Sequence, residues 1–259
     1  VWVFDPANLG AAIGGVPVRI VTLFGDTPRA LSVSPDGNTV YAAVFASGNK
    51  TTTVSEGMVC NGFAINAPCT NSQSLQTPGG VLPPATDHQG NQAPEVGIIV
   101  RFDDTSGQWI DERDRNWTNA VRFNLPDYDV FAINAGTLTQ SNVWTGVGTI
   151  LYNMATNPVT GAIYVSNTEA ANEVRFEGPG TYVTNQGAKP PGVPATVQGD
   201  LHRARITVLD GANVDPRHLN KHIDYSVLPA PVGTADHSLS MPTEMAVSSD
   251  GTKLYVANR

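Results

Sequence analysis

The sequence predicts an all-β fold, a β-propeller of four-stranded antiparallel blades, and an internal repeat is the first reason. Residues 28–43, 154–167 and 245–258 each read as a strand, a tight turn and a second strand carrying a tyrosine: Tyr41, Tyr164 and Tyr255. The turn residues are the second reason. Asp36-Gly37 and Asp250-Gly251 lie between apolar residues, a strong hairpin signal because both positions tolerate positive φ. The third is the run from Val40 to Phe45, apolar at nearly every position, which suits a strand packed on both faces.

Taken in order, residues 1–4 read as the last strand of a blade whose beginning is missing, and 19–24 as a connecting strand. Strands follow at 30–34 and 39–45, and a long insert at about 46–94 interrupts the blade. Residues 96–103 are expected to resume it and 129–134 to close it. A second blade is expected from 149–155, 162–166, 173–176 and 204–209, with a Gly- and Pro-rich insert at 178–199. Residues 243–248 and 253–257 open a third. The one helix candidate is 215–222, with Asp215 as N-cap and Pro216 at the first helical position. The whole of 1–259 thus reads as one partial propeller domain, about two full blades plus parts of two others. Strand-like segments at both ends add the expectation of a piece of a longer protein.

Composition narrows the function classes. A net charge of −8 over 259 residues argues against nucleic acid as a partner, since such proteins present a basic stripe. No apolar run approaches the roughly 20 residues of a membrane-spanning helix. Cys60 and Cys69 lie close together in a polar insert, which favours a disulfide and an oxidising compartment; two unpaired thiols in a cytosolic loop are the alternative. No C-x-x-C-H haem attachment motif occurs.

Tyr164-Val-Ser-Asn167 and Tyr255-Val-Ala-Asn258, with a weaker copy from Tyr41 to Val44 and the turn from Ser34 to Gly37, resemble the YVTN family of β-propeller repeats. Tyr182-Val-Thr-Asn185 spells the motif without the preceding turn and is set aside. The resemblance implies an exported protein of the periplasm or cell surface, of the kind that forms surface layers. Some members resemble the propeller parts of proteins that also carry c-type cytochrome or peroxidase-like domains. The repeats here lie much further apart than the family's about 40 residues, and the two inserts account for most of the excess.

Metal chemistry has two candidates. His218 and His222, four apart, would share one face of a helix, and His202, His237 or Asp215 would complete a zinc site. Against that stands a polar connection that caps or packs locally. Asp103, Asp104, Asp111, Glu112 and Asp114 offer oxygens for calcium, but Arg113 and Arg115 among them point instead to a solvated hairpin end with local ion pairs. No catalytic residue is identified: G-x-S-x-G is absent, and Gly146-Val-Gly148 lacks the third glycine of a dinucleotide loop. The tryptophans read as blade packing.

The sequence therefore points to a non-catalytic scaffold or protein-interaction module, whose partners are the remaining propeller blades or companion domains in the same or another chain. A blade left uncovered over on the order of 500 Å² of apolar face would forgo roughly 12 kcal/mol. Two alternatives remain: the propeller part of a periplasmic redox enzyme with a cytochrome or peroxidase-like companion, and a metal-dependent lactonase-like propeller hydrolase.

Overall fold

The computed structural model describes residues 1–59, 68–71, 73–79, 97–123, 127–174, 200–227 and 230–258. Almost all regular structure is antiparallel sheet, and the helical turns among these residues are three short 3-10 segments at Glu56–Val59, Thr118–Ala120 and Thr234–His237. β1 (Trp2–Val3) and β2 (Arg19–Ile20) form a two-stranded sheet. β3 (Pro28–Val33) and β4 (Thr39–Val44) form the repeat's first hairpin.

The chain then leaves this sheet. β5 (Thr51–Val54), β8 (Ile98–Asp103) and β9 (Gln108–Ile110) build a separate three-stranded sheet, and β6 (Cys69–Thr70) pairs with β7 (Gln76–Thr77) beside it. Residues 96–103 therefore do not resume the blade, as expected from sequence. They join the insert, because β8 pairs with β5, Thr51 opposite Arg101 and Val54 opposite Ile98. This inserted sheet has its own core of Val54, Met58, Val59, Ile98, Val100, Trp109 and Trp117.

β10 (Val130–Asn134) returns to pair with β4, and β11 (Thr139–Trp144) completes the order β3-β4-β10-β11. The sequence reading stopped at β10. β11 escaped it because four of its six residues are exposed and polar at the sheet edge. The second four-stranded sheet runs in simple chain order: β12 (Ile150–Thr156), β13 (Ile163–Val174), β14 (Asp200–Asp210) and β15 (Asn213–His218). β13 continues to Val174 without a break, absorbing the start of the separate strand expected at 173–176. The helix expected over 215–222 does not form: 215–218 lie in β15, with Pro216 opposite Thr207, and 219–222 in the loop and turn beyond. An outermost strand tolerates a proline that cannot donate to the ladder. Packing overrides the capping signal: Val214 lies against the core. β16 (Pro242–Val247) and β17 (Leu254–Asn258) form a last hairpin.

The sheets stack. β12 lies against β3 and β4, and β16 lies against β12 and β13. Ala30, Ala43 and Val130 from one sheet meet Leu151, Met154, Ile163, Val165 and Leu209 from the next, with Tyr41 and Trp144 at the margin. The opposite face of the first sheet, Val40, Ala42 and Ile133, packs on Val1, Val3 and Val21. Both faces of β4 are therefore covered, as its unbroken apolar run predicted. Up-and-down four-stranded sheets stacked face to face through their inner strands are propeller blades, and among the described residues the ring is not closed: the fold is a partial β-propeller.

The repeat is built the same way each time. In the first hairpin the Asp36 carboxylate accepts from Ser34 Oγ, the Asn38 backbone N–H and Asn38 Nδ2, and Gly37 has φ +73°. In the last, Asp250 accepts from Ser248 Oγ and from the backbone and hydroxyl of Thr252, with Gly251 at φ +71°. Ser248 therefore matches Ser34, and Ser249 stands where Pro35 does. These bonds, the serine hydroxyl's first, hold both carboxyls down at about 2. In the middle hairpin Asn157 does the same work, accepting from the N–H groups of Val159 and Thr160.

Candidate functional site

One sheet face of the second blade changes character along its length. In antiparallel pairing, opposed residues share a face and alternate residues repeat it. Val165, Ile163 and Leu209 on this face are apolar and packed against the first blade. Further along, Asn167 lies opposite Arg205, Glu169 opposite Arg203, and Arg205 opposite His218. Here the inserted sheet takes over as neighbour and brings Arg101 from β8. Arg101, Glu169, Ala170, Arg203, Arg205, Pro216 and His218 line a cleft of about 280 Å³.

The floor is a dense polar network. Arg205 donates from Nε to Asn167 Oδ1 (3.1 Å), and from Nη2 to the Val147 carbonyl (2.7 Å) and Glu169 Oε2 (2.9 Å). Asn49, on the turn that leaves the first blade, donates from Nδ2 to both Glu169 oxygens at 2.7 Å. Thr207 Oγ1 donates to Val147 O at 2.8 Å, and Asn167 Nδ2 donates to Thr207 Oγ1 at 2.8 Å. Burial dominates the titration behaviour. It pushes the Glu169 carboxyl up against the pull of Arg205, and it pushes the Arg205 guanidinium down against the pull of Glu169.

Asp129 anchors the other side. It is fully buried, its Oδ2 accepts from the Val147 N–H, and Oδ1 has no partner among the described residues. Burial first, then the neighbouring Asp127 charge, raises its carboxyl to about 8. Val147 thus links Asp129 at the start of β10 to Arg205 and Thr207 on the next blade. Gly148 makes this possible, since an added Cβ would lie 2.5 Å from Asn167 Oδ1 and 2.8 Å from its Cγ. Asn167 is tied down by three partners and cannot yield. Gly148→Ala is expected to cost about 1–3 kcal/mol, read as a lower denaturation midpoint.

Of the sequence-derived candidates His218 reaches the cleft, and the other described ones fall elsewhere. His218 sits at the end of β15 and lines the cleft, while His222 lies exposed in the turn beyond; the two share no helical face. Among the described residues no group of three or more His, Cys, Asp or Glu side chains is arranged to hold a metal ion. In the acidic stretch, Asp103 caps its own turn through the N–H groups of Thr105 and Ser106, Lys50 pairs with Asp104 at 2.6 Å, and Asp111 is buried under Arg115 and Trp117. These are the local ion pairs and hairpin end of the simpler reading. Cys69 lies in β6; Cys60, the 178–199 insert and the set-aside 182–185 segment lie outside the described residues. No helix among the described residues is long and apolar enough to cross a membrane.

Sequence reasoning missed the cleft. Its trace was the period-two spacing of Arg203 and Arg205 on a strand, but their convergence with Arg101 needed the register of two sheets.

No protein-family model matches the chain, and no curated protein matches it significantly. Among solved structures the chain is similar to a hydrazine synthase of Kuenenia stuttgartiensis, at 15% identity and a TM-score of 0.32 over 89% of this chain and 61% of that one. It is also similar to a Dos1 propeller, at 13% identity and a TM-score of 0.20 over 93% of this chain and 66% of that one. The chain spans less than two thirds of the hydrazine synthase chain's length. Similarity this distant carries nothing about chemistry, and the propeller architecture rests on the stacked sheets themselves.

Proposed function

We propose that the chain is part of a larger exported propeller of the YVTN-repeat kind, working as a non-catalytic scaffold or interaction module. The supporting observation is the fate of three equivalent tyrosines. Each sits in the second strand of its hairpin, on β4, β13 and β17. Tyr41 packs edge-on against Trp144 at 6.0 Å, and Tyr164 accepts from Asn157, which also donates to the Gly251 carbonyl of the next hairpin. Tyr255, in the same place, is 59% exposed. At the other end Leu31 and Val33 of β3 are more than half exposed, although Ser32 between them bonds Thr156 of the next blade at 2.7 Å. Among the described residues the Tyr255 face meets no further blade, and the Leu31 face is covered only in part, by the short β1–β2 sheet.

The partners in this reading are further blades or companion domains. A Cys60–Cys69 bridge and a periplasmic or cell-surface location belong to the same proposal. Sedimentation velocity over a concentration series tests it. The chain alone is expected to self-associate through its end faces, and Leu31→Asp combined with Tyr255→Asp to reduce that association without loss of strand circular dichroism. A wild-type chain that stays monomeric throughout and melts in one cooperative step would overturn the proposal.

A further inference from the structure

We propose that the open edge of β17 takes β1 of a second copy of this chain as its third strand, so that two copies close one ring. The identity of β1 comes from sequence. Val3, Asp5, Ala7 and Asn8 recur as Val208, Asp210, Ala212 and Asn213, in the third strand and following turn of the second blade. Val1 and Phe4 recur as the apolar Ile206 and Leu209. β1 and β2 are therefore the outer half of a blade, and Val1 and Val3 pack on Val40, Ala42 and Ile133 of the first blade as that half would. β16 and β17 are an inner half, with β16 against β12 and β13. Each half lacks the strands the other holds.

The free backbone groups match. In antiparallel pairing, successive residues turn their N–H and C=O groups to opposite edges of the strand. The Val1 and Val3 carbonyls accept from Val21 and Val18 on the β2 side, which leaves the groups of Trp2 on the open edge. On β17 the Lys253 carbonyl accepts from Ser248 across the hairpin, so the groups of Val256 also face outward. In the second blade Val165 lies opposite Thr207 and Tyr164 opposite Val208. That register, carried over, sets Val256 opposite Trp2 and Tyr255 opposite Val3, and the two free sets of groups meet. Tyr255, 59% exposed, then shares the Val3 face and turns to the exposed Leu31 and Val33 of the second copy.

The number of copies follows from the blade count. Two complete blades with the halves β1–β2 and β16–β17 amount to three blades per chain. Propellers hold about 4–8 blades, so one copy is too few, three copies too many, and two copies fit. Head-to-tail contacts form a ring when their rotation closes. The pairing rests on the scaffold reading, in which both ends await further blades, and it names what covers them.

Sedimentation velocity and cross-linking test it. The wild-type chain is expected to form a species of two chains that does not grow with concentration. Positions 3 and 255 form a non-hydrogen-bonded pair, whose Cα separation of about 4.5 Å suits a disulfide. Chains with Val3→Cys mixed with chains with Tyr255→Cys are expected to give a covalent pair under mild oxidation. Trp2→Cys in place of Val3→Cys, one residue out of register and on the other face, is not. Val256→Pro removes a donor that the hairpin does not use, and is expected to weaken the pair at least about tenfold with strand circular dichroism kept. The wild-type and Val256→Pro arms stand even if a cysteine variant does not fold. A wild-type chain that stays monomeric overturns this pairing together with the scaffold proposal. Growth past two chains, no cross-link between positions 3 and 255 in folded variants, or wild-type affinity in Val256→Pro overturns the closed pair and leaves the scaffold proposal standing.

Discussion

Asp111→Ala is expected to unfold the inserted three-stranded sheet while leaving the two complete blades folded. The Asp111 side chain is wholly buried and its two oxygens serve four donors. Oδ1 accepts from the backbone N–H groups of Arg113 (2.9 Å) and Arg115 (3.0 Å), and Oδ2 from Arg115 Nε and Trp117 Nε1, both at 2.7 Å. Arg115 also lies over the Trp117 ring at 5.4 Å. Truncation strands a mostly buried guanidinium and a buried indole N–H at once. Breaking a buried pair by removing one partner costs about 3–5 kcal/mol. The loss falls on a sheet of only three short strands, whose core of Trp109, Trp117, Ile98 and Val100 is separate from the core between the blades. Hydrogen exchange distinguishes the two bodies: amides of β8 should lose protection while those of β13 keep theirs. Unchanged protection in β8 would show that the carboxylate does not hold this sheet.

The second large effect is a pH dependence centred on Asp129. An unfolded aspartate titrates near 3.9, whereas the folded carboxyl is held up at about 8 by burial and by Asp127. Between those values the native state keeps a proton that the unfolded state has released. Native stability therefore falls as pH rises through this window, by up to about 1.4 kcal/mol per pH unit, and levels off above 8. Asp127 and Glu169, also raised by burial, add slope of the same sign. Exposed Asp36 and Asp250, both lowered to about 2, act in the opposite direction below the aspartate range. Asp129→Asn keeps an acceptor for the Val147 N–H and removes the ionisation. The variant should match or trail the wild type near pH 4 and exceed it near pH 8, with a visibly flatter profile of denaturation midpoint against pH. Parallel profiles for the two proteins would refute the assignment.

These two residues illustrate what a linear reading misses. Asp111 stood out in the sequence only as one acid among several, with calcium as its functional reading. The structure shows the local ion pairing of the other reading without its solvation, a buried carboxylate consumed by its own hairpin and its neighbouring tryptophan. Asp129 opens an anticipated strand, yet nothing in its neighbours Tyr128 and Val130 announces a buried carboxyl. Its environment comes from Val147 and Gly148, in a loop beyond β11.

By itself the sequence determined the blade hairpins. Strand–turn–strand units with Asp-Gly turns and a tyrosine are encoded within some fifteen adjacent residues, so local patterning and turn chemistry suffice to write them. The doubly apolar Val40–Phe45 run even told that neighbours cover both faces of β4. Tertiary structure alone decided the outer strands, the partner of β8 and the arginine cleft. β11 and β15 carry little apolar periodicity because one side of each meets solvent, so their membership is fixed by an inner strand that needs pairing. β8 read as resuming the blade, and the burial of Ile98 and Val100 with Trp117 in a separate core goes with its pairing to β5 instead. Arg101 and Arg205 are distant in the chain, and only the combined register of two sheets brings their charges to one side of a cleft.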